Sequence, residues 1–386
     1  MTVDLIPSTT EEQTSIRDAT VRLIESEFPL AAVRSFADGG PGPGAKYRST
    51  AAELGWFGLL AAEAHGGGSA SGNGLLDAAM LAAERGARLQ PGPFTGHGIV
   101  VRTLSRAAET GRLPDTQAKT LAALIEGRSW ATWLPPAVGT SAGVRAVAVA
   151  SGPAPADEIV LAGDAGVVSD AGECGWFLVT AGHPDGLMQV LVPADAPGLT
   201  VRRRDGLDLT RRWYSVELDS VSVHPDAVVG PAGGQARRLL DEQLAVAAVL
   251  SAADATGAMD ADFRLTVEHA RSRIAFGRPV GSFQAVKHLL ADTSLWLEMS
   301  KGIVSAAAEA LGSGTPDGLA LAHAAKSFTA ERGTEVAQNC FQVLGGIGYT
   351  WEHDQHLYLR RLSAAATEFG PPEQHRQHLR DLAEAS

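Results

Sequence analysis

The sequence is poor in cysteine and in unbroken apolar runs. Only Cys174 and Cys340 occur in 386 residues, far apart and without C-x-x-C spacing. That excludes a disulfide-stapled framework and a cysteine-rich zinc site, and it fits a reducing cytoplasm. No uninterrupted apolar run reaches the roughly 18 to 20 residues that span a bilayer, so no membrane insertion is expected. The opening MTVDLIPSTTEEQ has no basic stretch followed by an apolar one, so no secretory leader is expected either. Basic charge is in short supply: 32 Lys plus Arg face 44 Asp plus Glu, for a net charge of −12. This balance opposes a nonspecific grip on nucleic acid, yet leaves room for a local basic pocket that takes one phosphorylated cofactor. No H-E-x-x-H, G-x-S-x-G or P-loop occurs, so zinc proteases, serine hydrolases and P-loop NTPases lack support. The eleven histidines are scattered; His353, His356 and His375 are assigned surface or packing roles, and no metal site is expected.

What is present is an ordinary globular composition, 45% hydrophobic and 20% charged, long enough for a sizeable core and about two to three domains. Thr9 with Glu12 resembles a capping box that opens a helix carrying Ile16, Leu23, Ile24 and Phe28. Helical patterns follow over 47–63 and 75–88, separated by a Gly- and Ser-rich connector from His65 to Gly74. Near residue 127 the texture changes to β-branched runs: Val144–Val149, Glu158–Leu161, Trp176–Thr180, Met188–Val192, Leu199–Arg202 and Ser215–Val223. Turn residues punctuate them every 8 to 15 residues or so, which predicts a small antiparallel β domain, a barrel or a sandwich. From Ala236 helical signals return, to about Phe276, then over 283–312 and 316–343. The short Gly-Pro pieces at 39–44 and 152–156 read as loops. The order is an α+β multidomain chain, with a helical domain over 1–126, a β domain over 127–232 and a helical bundle over 233–386.

Two clusters carry potential chemistry. In the first, Arg271, Arg273 and Arg278 crowd a helix junction that turns through Gly277, Pro279 and Gly281 and runs on to His288. Guanidinium forks there suit a pyrophosphate, and equally suit helix carbonyls. In the second, Gln342 is followed by Gly345 and Gly346 after an amphipathic helix. Paired glycines admit a ligand close to the backbone, or form a tight turn between helices. No strand precedes them, so this is not a Rossmann fingerprint.

Together these stretches resemble the acyl-CoA dehydrogenase family. The carrying motifs are RIAFGRPVGSFQAVKHLLAD from Arg273 and QVLGGIGYTWEHDQHLYLRR from Gln342, with support from LVPADAPGLTV at Leu191, EAHGGG at Glu63 and ERG at Glu84. The resemblance covers nearly the whole length. It implies an N-terminal helical domain, a central β-barrel, a C-terminal four-helix bundle, tetrameric assembly, and FAD bound at a subunit interface. It also implies α,β-dehydrogenation of an acyl-CoA thioester: a carboxylate takes the α proton while the β hydrogen passes to the flavin. The protein's part is a desolvated base and hydrogen bonds to the thioester oxygen.

The expected glutamate is missing from both usual places. Counting on from the paired glycines, the base position is Phe369, followed by the expected Gly370. Counting back from Phe276, the alternative base position is Ala247. Glu368 lies one residue early and Glu242 five residues early, and they remain the only candidates for a displaced base. Flavin contacts divide in two. The set that reaches across to a neighbour's flavin is intact in Arg273, Phe276, Gln284, Gln342, Gly345 and Gly346. The set that holds a subunit's own isoalloxazine is eroded: Leu134-Pro135-Pro136 replaces Thr-Glu-Pro, and Pro371 replaces a polar contact. Val167-Val168-Ser169 keeps a hydroxyl and loses an aromatic.

Three functions fit this division. The leading one is the non-catalytic subunit of a heteromeric acyl-CoA dehydrogenase acting on sterol-like or bulky acyl groups. It would complete the flavin site of a homologous, glutamate-bearing partner and pass electrons to an electron-transfer flavoprotein or similar acceptor. The second is a self-sufficient dehydrogenase, as a homotetramer, or a repurposed flavoenzyme of the same fold, including oxygenase-like relatives. The third is a flavin-free protein that binds acyl-CoA or an acyl carrier.

Overall fold

The computed structural model describes residues 2–136, 143–149 and 158–385; the expected loop at 152–156 lies outside them. Six helices come first: α1 Glu11–Glu27, α2 Leu30–Ala37, α3 Ala45–Glu53, α4 Gly74–Ala87, α5 Phe94–Thr110 and α6 Asp115–Ile125. The cap of α1 is Thr10, not Thr9. Thr10 Oγ1 accepts from the Gln13 amide and Gln13 Oε1 accepts from the Thr10 amide, both at 3.0 Å. The helix expected over 47–63 is the shorter α3, because the chain enters the left-handed region at Gly55, φ +80°. Beyond it Trp56, Phe57, Leu59 and Leu60 pack into the core from consecutive turns.

The β segment contains β1 Ala131–Leu134, β2 Arg145–Val149, β3 Glu158–Ser169, β4 Trp176–His183, β5 Gly186–Pro193, β6 Leu199–Arg204 and β7 Trp213–Val223. Six of these contain or overlap the β-branched runs; β1 was not expected. It is four residues long and buried throughout, so it has no alternation to read. It pairs parallel with β4, Ala131 opposite Trp176, and β2 also meets β4 in parallel, so the seven-stranded sheet is mixed rather than purely antiparallel. The strand order is β1-β4-β2-β3-β7-β6, with β5 paired to β4.

The C-terminal part begins with α7 Gly234–Ser272, followed by a two-residue-strand hairpin, β8 Ile274–Ala275 and β9 Arg278–Pro279. Then come α8 Gln284–Gly312, α9 Gly318–Leu344, α10 Gln355–Ala365 and α11 Pro372–Ala385. By length and composition alone α7 is apolar enough to cross a membrane, but 89% of its most apolar window is buried inside the protein. It is a core helix. Helix α4 crosses α7 at backbone contact. A Cβ on Gly86 would sit 1.9 Å from the Asp254 carbonyl oxygen, and one on Gly257 would sit 1.8 Å from that of Ala83. The two glycines therefore bring α4 and α7 close enough for Asp254 to stand beneath the space between the helices and the sheet. One apolar core joins the N-terminal helices to the C-terminal bundle, and a second fills the sheet. We propose domain boundaries at 126/127 and 232/233, in the connections between α6 and β1 and between β7 and α7.

Candidate functional site

Where α4, α5, β1, β3, β7 and the end of α10 converge, the fold leaves a cavity of about 490 Å³. Its apolar wall includes Phe94, Trp133, Leu207, Trp213 and Phe369; its polar wall includes Arg85, Ser169, Arg211, Asp254 and Glu368. This size and mixture suit a small-molecule or cofactor site.

Charge in the cavity is organised as one chain of ion pairs. Glu368 accepts from the Ser169 hydroxyl at 2.8 Å with one carboxylate oxygen, and from Arg211 at 2.5 Å with the other. Arg211 reaches Asp254 at 3.4 Å. Asp254 is gripped bidentately by Arg361, at 3.0 and 3.1 Å. Arg361 also donates to Asp208, Thr210 and the Gln90 carbonyl, so its fully buried fork is spent on the fold. Burial alone would push the Asp254 carboxyl up, but Arg361 and Arg211 outweigh it and hold the group below its ordinary value. Burial would likewise lower the Arg211 guanidinium, and Glu368, Asp254 and Asp208 more than offset this. Behind Glu368, Lys326 is buried and donates to Ser251 and to the Ala365 carbonyl; burial lowers it to about 8.

The turn after α10 is tightly determined. Phe369 has φ +60°, a conformation an L-residue adopts at a cost of about 1 to 3 kcal/mol. Its ring lies nearly parallel to Trp133, 6.5 Å between centroids. Its carbonyl meets His375 Nε2 at 3.2 Å, and His375 Nδ1 meets His323 Nδ1 at 2.9 Å, with His378 stacked on His323. Burial, then the neighbouring His323 and Lys326, lower His375 to about 3. His375 is neutral in the fold and protonates near 6.5 when unfolded, so its contribution is complete above pH 6.5 and is lost as pH falls toward 3. The stability of the protein relative to its His375→Gln variant is therefore expected to shrink by about 2 kcal/mol between pH 7 and pH 5, read from urea denaturation at the two pH values. An unchanged difference would mean that His375 is not neutral in the fold.

The sequence-predicted residues fall into two places. Ser169, Glu368 and Phe369 meet in the cavity. Arg273, Phe276, Gln284, Gln342 and Gly346 are instead exposed on the helix–hairpin–helix surface and the end of α9, with Gly345 half-buried. Among the described residues the Arg273, Gln284 and Gln342 side chains make no hydrogen bond or ion pair. Phe276 is 95% exposed at φ +52°. A Cβ on Gly345 or Gly346 would meet nothing within 4 Å, so a ligand has open access to this backbone from outside. The exposed guanidinium and the open glycine backbone suit a phosphorylated ligand that approaches from outside the chain, whereas in the cavity the Ser169 hydroxyl is already bonded to a carboxylate. Of the other candidates, Glu242 forms a half-exposed ion pair with Arg106, and Ala247 is fully buried in α7. Sequence reasoning missed Arg211, Asp254 and Arg361. The signals were the Arg211-Arg212 pair in an acidic chain and the place of Arg361 at the end of the Gln342 motif.

Residues 237–382 match the model of the acyl-CoA dehydrogenase C-terminal domain. Over 358 residues, 92% of each chain, the sequence is 30% identical to the acyl-CoA dehydrogenase IpdE2 of Mycobacterium tuberculosis. The chain belongs to the acyl-CoA dehydrogenase family. Among solved structures, a variant of the steroid ACAD Tcur3481–Tcur3483 superposes with a TM-score of 0.84 at 26% identity, covering 97% of this chain and 98% of that one. The ChsE4–ChsE5 complex from Mycobacterium tuberculosis superposes at 0.83 with 23% identity, covering 99% of each chain, which speaks for the fold. As an acyl-CoA dehydrogenase family member the chain falls among oxidoreductases acting on CH–CH groups, with the helical, β and helical parts in the expected order.

Proposed function

We propose that this acyl-CoA dehydrogenase family chain is the non-catalytic subunit of a heteromeric enzyme, contributing residues to a flavin that a homologous partner holds. The observation that carries the reading is the state of Glu368. Glu368, next in sequence to the base position Phe369, has both oxygens committed, to Ser169 and to Arg211. A base must be free to turn a carboxylate oxygen toward the C–H it deprotonates, and Glu368 is tied at both oxygens. Meanwhile the outward-facing set stands uncommitted and exposed.

In the assembled enzyme Arg273 would clamp the FAD pyrophosphate, Phe276 would lie against the cofactor, and Gln284, Gln342 and the Gly345–Gly346 backbone would take its remaining polar edges. Bound FAD supplies the electron acceptor for α,β-dehydrogenation of an acyl-CoA. This chain's share is to position the cofactor and to keep water from it. Exposed Ile274, Phe276, Leu295, Met299, Tyr349 and Trp351 give the bundle an apolar surface suited to another subunit. A bulky, steroid-like acyl group is the substrate class we favour, supported by the similarity to a steroid enzyme, with an electron-transfer flavoprotein or similar carrier as acceptor. We assign the complex to the cytoplasm, consistent with Cys174 and Cys340 being unpaired and buried.

The test is flavin retention by the complex of this chain with a glutamate-bearing paralogue. Arg273→Ala is expected to weaken retention about ten- to hundredfold, the worth of a charge-assisted hydrogen bond. Arg273→Lys is expected to fall between, because it keeps the charge and loses the planar fork. Unchanged retention in Arg273→Ala, or one flavin per chain in the isolated protein, would overturn the reading.

A further inference from the structure

We propose that Glu368 is the specificity-determining residue that keeps flavin out of this chain's own cavity, so that an assembly of unlike subunits loads flavin only in the partner's. The inference rests on the non-catalytic reading and explains something that reading leaves open. If the chain assembles with itself, each neighbour brings an intact Arg273, Phe276, Gln284 and Gln342 to the cavity of the next. The outward-facing half of the site would then be complete, and only the inward-facing half can refuse the cofactor.

The refusal is written in hydrogen-bond polarity. The pyrimidine edge of an isoalloxazine presents mainly acceptors, its two carbonyl oxygens and two ring nitrogens, and calls for donors. The donors beside Phe369 include the Ser169 hydroxyl and the Arg211 guanidinium, and Glu368 takes that hydroxyl at 2.8 Å and Arg211 Nη1 at 2.5 Å. It also sets an acceptor-only carboxylate where donors are needed. A flavin entering here would have to break a charge-assisted pair and leave its own carbonyls against an anion, with a buried acceptor unsatisfied. The carboxylate cannot easily swing away. Its backbone N–H is bonded to the Ala364 carbonyl at 3.2 Å, and the next residue is pinned by Trp133 and His375. Arg211 is meanwhile held from behind by Asp254.

The experiment titrates FAD into the purified full-length chain, without a partner, and reads flavin per chain by equilibrium dialysis and visible absorbance. The wild type is expected to retain almost none. Glu368→Ala, which vacates the space and frees both donors, is expected to bind FAD about ten- to hundredfold more tightly. Glu368→Gln guards against a folding failure: it keeps the volume, removes the charge and is expected to give a smaller gain in the same direction. A third arm uses the assembled complex, where Ser169→Ala is expected to leave flavin content unchanged. Variants that fold and assemble like the wild type yet bind no more FAD would overturn this inference and leave the non-catalytic reading standing. A wild-type chain that binds one FAD by itself would overturn both, as would loss of flavin from the complex on Ser169→Ala.

Discussion

The isolated chain is expected to dehydrogenate no acyl-CoA at a useful rate, with an artificial electron acceptor and substrates ranging from short-chain to steroid-like thioesters. Co-expression with a glutamate-bearing homologue is expected to bring the activity in. General-base catalysis is worth about 10²- to 10⁴-fold, and here the base positions hold Phe369 and the fully buried Ala247. The thioester α C–H is too weakly acidic to give up its proton, as the β hydrogen leaves with its electron pair, without a base in place. Phe369→Glu alone is not expected to rescue turnover. Phe369 packs against Trp133 at φ +60°, and Glu368 would still occupy Ser169 and Arg211. The alternative, that Glu368 is a base displaced by one residue, gives the opposite result. Turnover by the isolated chain, abolished in Glu368→Gln, would establish it and end the non-catalytic reading.

The two sets of candidate residues differed in how visible they were. Arg273, Phe276 and Gln284 lie within twelve residues, and Gln342 to Gly346 within five, so continuous stretches of sequence carried them. Their exposure follows from sitting on a hairpin and at a helix end, both announced by glycine and proline. The cavity could not be read the same way. Ser169 and Glu368 are 199 residues apart, Arg211 and Glu368 157, Arg361 and Asp254 107. No local pattern marks such partners, and only the crossing of α4 over α7 at Gly86 and Gly257 explains why Asp254 faces them. The same logic holds for the fold. The long helices announced themselves by period and six strands by β-branched runs between turn residues, whereas β1 is only four residues long and wholly buried. The shortened α3 turned on one left-handed glycine, Gly55, within an otherwise helical composition.

The largest stability effect is expected at Arg361, which is fully buried and does not line the cavity. Its guanidinium joins α10 to α7 through Asp254, to the loop between β6 and β7 through Asp208 and Thr210, and to the loop after α4 through the Gln90 carbonyl. All three parts of the chain therefore meet at one buried cation. Arg361→Met keeps much of the volume and strands two carboxylates in the interior, which typically costs about 3 to 5 kcal/mol. The loss should appear as a large drop in the urea midpoint, while Arg273→Met, made at an exposed position, should stay within about 0.5 kcal/mol of the wild type. Asp254 still has Arg211 at 3.4 Å, so part of the penalty is absorbed locally and the rest falls on Asp208. The double variant Arg361→Met/Asp254→Asn removes one of the stranded charges together with its partner. It is therefore expected to lose less than the sum of the two single variants, by about 0.5 to 3 kcal/mol. Strict additivity, or a loss below about 1 kcal/mol for Arg361→Met alone, would mean that the three parts are held together by apolar packing and not by this cation.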